Sequence, residues 1–203
     1  MKPTLFQSLL GASFYALPSC VRALHQIRGR GRYVGRAEIT RGGNPLARLC
    51  AAFARLPPAM ADAPLTVDFQ ADAAGEVWTR HFGGQAGKAH RMRSRLRARN
   101  RRLVERLGPL QFRFEICVHE EAIHWHAEGV RLFGLLPLPA GWFAGVACRE
   151  GEHEGRYTFL VDASLPLIGR LVRYEGWLQP EHALHAQPDA FADDPIAALP
   201  GQA

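Results

Sequence analysis

Lysine is almost missing from this chain: of its 25 basic residues only Lys2 and Lys88 are lysine. Such a skew toward arginine reflects coding bias as readily as chemistry, and alone it decides nothing. Cysteine is sparse as well. Cys20, Cys50, Cys117 and Cys148 lie far apart with no C-x-x-C pair, which excludes a disulfide framework or a zinc knuckle and fits reduced thiols in a cytoplasm. No stretch reaches the roughly 18 consecutive apolar residues of a helical membrane span. The start, Met1-Lys2 followed by Leu5 to Leu17 and then Pro18-Ser19-Cys20, imitates a lipoprotein leader. Gln7, Ser8 and Ser13 interrupt its apolar run, so the segment is expected to belong to the folded domain.

Nucleotide motifs are missing too. There is no phosphate-binding loop and no G-x-S-x-G elbow. Gly29, Gly31 and Gly35 are spaced G-x-G-x-x-x-G and lead into a strand, where a dinucleotide fingerprint needs a helix. No cofactor is expected from these residues.

What is present is a period-two pattern, the mark of strands with one buried face. Its centre is Pro109 to Phe133. Leu110, Phe112, Phe114, Ile116 and Val118 alternate with Gln111, Arg113, Glu115 and Cys117. After a turn at His119-Glu120-Glu121, Ile123, Trp125 and Ala127 alternate with His124, His126 and Glu128. The same grammar recurs at Tyr33–Thr40, Leu65–Ala71, Trp78–Phe82, Arg91–Arg97, Trp142–Glu150, Arg156–Ala163 and Leu171–Leu178. Thr4–Leu17 and Ser19–Ile27 read as short helices, with Ser19 able to cap the second. Asn44 and Pro45 open a further helix whose Leu46, Leu49, Cys50 and Phe53 are expected to form its buried stripe.

The fold expected is therefore mainly β, an antiparallel meander of about nine strands curled into a barrel or half-barrel. Two short N-terminal helices precede it, and one helix is inserted after the first strand. With 203 residues and 47% apolar content, residues 1–180 are expected to form one β-rich domain. Residues 181–203, rich in Ala, Pro and Asp without periodicity, are expected to be a flexible tail.

Charge is distributed unevenly within the net +6; Lys88 to Arg106 holds nine basic residues and one acid, Glu105. Arg91, Arg93, Arg95 and Arg97 project from one side of a single strand. This ladder is either a solvated outer face or a groove for phosphate or an anionic membrane surface. RNA-binding sheets add exposed aromatics for base stacking, and none alternates with these arginines, so no nucleic acid is expected. His124 and His126 share a strand face and can fill two corners of a zinc site, with His119 or Glu115 as a third ligand. Nothing in the spacing fixes that third position, and the expected metal content is none.

Arg80 is the most informative charge. It falls on the same face as Trp78 and Phe82, and a charge on an apolar face is costly unless paired. Glu105, Glu115 and Glu175 are the candidate partners. Either Arg80 forms a structural ion pair or it anchors a ligand inside a cavity. Inward rows mix Trp78, Phe112, Phe114 and Trp125 with small residues such as Gly35, Ala37 and Ser94. A barrel of about eight strands can enclose one small ligand where such residues leave room.

Several stretches resemble one family: Phe14-Tyr15-Ala16-Leu17-Pro18, Val21-Arg22-Ala23-Leu24-His25, Gly35-Arg36-Ala37, Leu56-Pro57-Pro58 and Glu76-Val77-Trp78-Thr79-Arg80-His81-Phe82-Gly83. Leu103-Val104-Glu105-Arg106-Leu107-Gly108-Pro109, Leu165-Pro166-Leu167-Ile168-Gly169 and Tyr174-Glu175-Gly176-Trp177-Leu178 continue it. Together, from about Phe14 to Pro180, they look like the bacterial domain-of-unknown-function 4166 family. Its members occur alone or fused behind NAD-binding dehydrogenase-like domains. The resemblance implies an oxidoreductase context but no catalytic residues, and any redox role would fall to a separate NAD-dependent dehydrogenase as partner.

The function expected is a binding module for a hydrophobic or amphipathic small molecule, with Trp78, Arg80, Glu105, Phe112, Arg113, Phe114, Trp125 and Tyr174 as ligand contacts. The alternatives are an enzyme or accessory subunit using Glu105, His124, His126 or Tyr174 for proton transfer, or a domain docking a dehydrogenase or anionic membrane through the ladder.

Overall fold

The computed structural model describes residues 2–84 and 89–181; the expected tail beyond Glu181 lies outside them. Among the described residues, eleven antiparallel strands follow one another. They are β1 (Gly29–Arg41), β2 (Met60–Asp72), β3 (Gly75–Phe82), β4 (His90–Arg99), β5 (Arg102–Leu107) and β6 (Leu110–His119). β7 (Ala122–Leu132), β8 (Leu136–Leu138), β9 (Gly145–His153), β10 (Arg156–Leu165) and β11 (Gly169–Pro180) complete them. Neighbours in sequence pair from β1 to β7, β9 returns to β7, and β11 closes on β1. Ten strands thus form a closed antiparallel barrel, with β8 a short spur on the end of β7.

Alternation places the walls as expected. Trp78 and Phe82 face inward with Met92, Ser94 and Leu96, while Arg91, Arg93, Arg95 and Arg97 are exposed on the outer face. Register explains two local features. In the β6–β7 hairpin, Phe114 pairs with Ala127 and Arg113 with Gly129, so Glu128 is an extra residue, and this bulge turns Val130 into the core. At the β1–β11 seam, a Cβ on Gly35 would lie 1.9 Å from the Trp177 carbonyl oxygen, so only glycine permits this approach. Three tight turns, Asn100-Arg101, Glu120-Glu121 and Glu154-Gly155, have positive φ at both central residues. That conformation matches the twist of paired strands.

Two strands go beyond the nine expected. β5 was hidden because Leu103 and Val104 are both buried, which breaks the alternation. β8 has only three residues. Trp142 and Phe143 are not strand but belong to a 3-10 turn, Ala140–Phe143, and β9 starts at Gly145. The first helix is also shorter than expected: α1 (Leu5–Leu10) gives way to a 3-10 segment, Gly11–Ala16. α2 (Ser19–His25) starts after Pro18, and no side chain caps it.

This N-terminal segment plugs one end of the barrel. α1 lies against β4 and β6, and α2 against β9 and β10. Phe6 is fully buried, its ring 6.0 Å from Trp78 and 5.8 Å from Trp125. A capping box holds the first turn: Gln7 Oε1 accepts from the Thr4 backbone N–H at 2.9 Å, and Thr4 Oγ1 accepts in return.

α3 (Pro45–Phe53) lies beyond the opposite end of β1, capped by Asn44 as expected. Its sidedness is reversed. Ala47 and Ala51 are buried against Leu171, whereas Leu46, Leu49 and Phe53 are more than half exposed. The helix sits too close to β11 for large side chains: a Cβ on the preceding Gly42 would meet the Arg170 carbonyl at 1.9 Å.

Candidate functional site

A narrow cavity of about 100 Å³ runs inside the barrel. Trp78, Arg80, Glu105, Phe112, Phe114, Trp125 and Tyr174, all expected from the sequence as ligand contacts, line it. Arg113 does not. It stands on the outer wall, where its Nε is 3.3 Å from Glu128, because Phe112 and Phe114 take the inward positions on either side. Arg102 joins the same network, 2.9 Å from Glu128 and 3.3 Å from Glu115.

The cavity walls are aromatic and interlocked. Phe69 and Trp78 meet edge to face at 5.2 Å, Phe114 and Trp125 at 5.5 Å, and Phe112 stacks on Phe114 at 5.5 Å. Into this apolar lining projects the Arg80 guanidinium. It donates to Ser94 Oγ at 3.0 Å and lies 5.1 Å from the centre of the Trp78 ring. Among the described residues no carboxylate comes within 4.0 Å of it. Glu115 is engaged by Arg102, and Glu175 by Arg173 at 3.0 Å on the outer face. Burial works against the Arg80 charge, but Tyr174 and Glu105 more than offset it, and its pKa stands above the ordinary arginine value. Arg80 stays a cation, and most of its five N–H donors are unspent.

Other polar groups meet it in the cavity wall. Burial pushes the Tyr174 and Tyr157 hydroxyls and the Cys148 thiol upward, so all three stay protonated at neutral pH. Cys148 is therefore not a thiolate nucleophile, and the tyrosines act as hydrogen-bond donors. The indole Nε1–H of Trp125, also in this wall, has no partner among the described residues.

Cys148, Glu150 and Tyr157 were not foreseen as site residues. The signal was present: Val146, Cys148 and Glu150 alternate along β9, so Glu150 breaks an inward row as Arg80 does. Glu150 differs in having a partner. Its Oε2 accepts from His25 Nε2 at 2.7 Å, both side chains almost wholly enclosed. The His25 ring is 3.8 Å from Phe6 and is not part of the cavity wall. This pair ties the plug to β9. Glu76 has a similar place: it accepts from Trp78 Nε1 at 2.9 Å, and burial raises its pKa above the usual 4.5.

The remaining sequence candidates lie outside. The His124 ring is 6.0 Å from His119 and 6.4 Å from His126 on the outer face of β6 and β7. Partial burial and the nearby Arg149 depress the His124 pKa. No group of three or more potential metal ligands gathers among the described residues. The ladder arginines are exposed, and among the described residues none has an acidic side chain within 4.0 Å. Arg95 stands opposite Arg106 of β5, a like-charge pair.

A family model described as a domain of unknown function, DUF4166, matches residues 17–178. The chain belongs to the DUF4166 family. The match takes in all ten strands of the DUF4166 barrel, its cavity and α2. Comparison with curated proteins finds no match, so what the DUF4166 cavity does has to be read from its own chemistry.

Proposed function

We propose that this DUF4166 barrel binds a small amphipathic molecule, placing an acceptor-rich or anionic head at Arg80 and an apolar body among the aromatic rings. The observation that carries this is the Arg80 cation, set in an aromatic wall with one hydrogen bond and, among the described residues, no carboxylate within 4.0 Å, Glu105 lining the same cavity without touching it. Most donors of this guanidinium are unspent, and a ligand acceptor supplies charge-assisted partners for them. The unpartnered Trp125 N–H and the protonated Tyr174 ask for acceptors in the same space, whereas Tyr157 is engaged by Glu150.

Size limits the guest. The cavity equals roughly three waters at about 30 Å³ each, well below the 300–1,000 Å³ or so of common ligand pockets. A ligand with more than a few carbons has to displace flexible wall residues such as Met92. The four free cysteines support a cytoplasmic setting.

The test is a titration with short carboxylates (butanoate to octanoate) and the matching alcohols, read by tryptophan fluorescence and isothermal calorimetry. Saturable binding of a carboxylate, at least tenfold tighter than its alcohol and lost in Arg80→Met, supports the reading. Equal binding of acid and alcohol, or an unaltered Arg80→Met, overturns it.

A further inference from the structure

Nine large apolar side chains are exposed among the described residues, and eight of them lie at one end of the barrel. The register fixes this. β1, β7 and β10 finish there, β2, β9 and β11 begin there, and the plug occupies the other end. Leu46, Leu49 and Phe53 come from α3, Leu167 from the β10–β11 turn, Trp142 from the 3-10 turn before β9, and Phe133, Leu135 and Leu136 from the β7–β8 turn. These segments are consecutive around the ring. Ile168 of the β10–β11 turn packs with the α3 alanines, the 3-10 turn touches β10 and β7, and Phe133 N–H donates to the Pro109 carbonyl at 2.6 Å. The result is one apolar arc, far more than scattered surface hydrophobics would give.

Its charge is of one sign. Residues 39–61, 129–147 and 163–172 contain no Asp or Glu. Arg48, Arg55 and Arg131 are exposed in these segments, and among the described residues none has a carboxylate within 4.0 Å. Protruding Leu, Phe and Trp flanked by unpaired arginine, with no acid between them, match the chemistry of an anionic bilayer surface: apolar tips enter the acyl boundary and guanidinium groups meet phosphates. We propose that this rim docks on anionic membrane, standing the barrel on its unplugged end.

The barrel does not thereby span the bilayer. No described helix is long and apolar enough to cross, and the outer wall carries the arginine ladder where a membrane barrel needs an apolar band. The inference is independent of whether the cavity holds a ligand, since it rests on the rim alone. If both hold, the Leu56, Val146 and Ala163 side of the cavity faces the membrane.

The test is vesicle flotation of the full chain with phosphatidylcholine vesicles containing or lacking about 30 mol% phosphatidylglycerol, which gives the surface an anionic charge. Wild type should float with the anionic vesicles, release at high salt, and show a blue shift in tryptophan emission that is lost in Trp142→Phe. Leu49→Asp with Leu135→Asp should weaken flotation at least tenfold, as should Arg48→Glu with Arg131→Glu, while circular dichroism is unchanged, because all four positions are exposed. Arg93→Glu with Arg95→Glu on the ladder should leave flotation nearly intact. Failure of wild type to float, or flotation that survives the rim variants, overturns the proposal. So does flotation lost in the ladder variant alone. A dimer abolished by the rim substitutions, without vesicle binding, assigns the arc to a second copy of the chain and also overturns it.

Discussion

At the scale of single residues, the interior holds a few buried charges, and what offsets each one decides its effect. Arg80 keeps its charge because the groups around it, Glu105 of the same cavity wall among them, more than offset its burial. Arg80→Met leaves Glu105 uncompensated and is expected to lower the unfolding free energy by about 1–2 kcal/mol, measured by urea denaturation, with Glu105→Gln added to it restoring most of the loss. An Arg80→Met protein more stable than wild type would mean that the cation is uncompensated in the empty cavity. Glu76 gives a second prediction, with its sign set by linkage. Burial raises its folded pKa above 4.5. The native state therefore binds more protons than the unfolded state between the two values, and stability falls as pH rises through that window. The favourable contribution is full below 4.5 and gone above the folded pKa. Glu76→Gln keeps an acceptor for Trp78 Nε1 and cannot ionise. Denaturation midpoints should thus be higher for the variant than for wild type at pH 8, and the gap should close by pH 4. A gap constant with pH would refute the assignment to Glu76. Arg80 was legible in the sequence because one charge interrupted an apolar row. Which of its three candidate acids would face it was not, because Glu115 and Glu175 are spent on arginines that only the three-dimensional register brings near, which leaves Glu105 in the same cavity wall.

At the scale of elements, alternation carried far, and it failed wherever sidedness depended on what lay across from it. The rows of β2, β3, β4 and β6 follow the pattern because each has one wet and one dry face. β5 does not, since Leu103 and Val104 are buried on opposite faces. The helix α3 shows the same limit in reverse. Its large apolar side chains suggested a buried stripe, yet close approach to β11 admits only alanine, and the leucines and Phe53 turn outward. α1 was legible as a helix, but nothing in its own residues said that Phe6 would enter a barrel. That insertion is testable. Phe6→Ala empties a fully enclosed site between His25, Trp78 and Trp125 and should cost about 3–5 kcal/mol, read as a lower thermal midpoint. At the seam, Gly35→Ala sets a methyl against the Trp177 carbonyl. It should raise hydrogen exchange in β1 and β11 relative to β4 and β5, whereas equal protection would mean that the strands part without cost.

At the scale of the whole molecule, the barrel is asymmetric from end to end. One end is stoppered by a segment drawn from the first residues of the chain, tied by the His25–Glu150 pair and the Phe6 contacts. The other carries an arc of apolar tips and arginine on its β7-to-β2 side. Closure itself needs no plug, because β11 pairs with β1 and β7 with both β6 and β9. Loss of the plug should therefore leave strands in place while opening the aromatic interior. Deleting residues 2–27 is expected to preserve most of the far-ultraviolet β signal. It should also bind the dye 8-anilinonaphthalene-1-sulfonate strongly and broaden the unfolding transition, the behaviour of a structure that keeps its backbone pairing without fixed packing. The reason lies in the size of the interior. A ten-strand ring is wider than the roughly eight-strand barrel that side chains alone fill, and here the first helix supplies the missing volume. A truncated barrel that melts as sharply as the full chain and ignores the dye would show that the wall residues collapse to fill the space, and that the plug is a cover rather than part of the core.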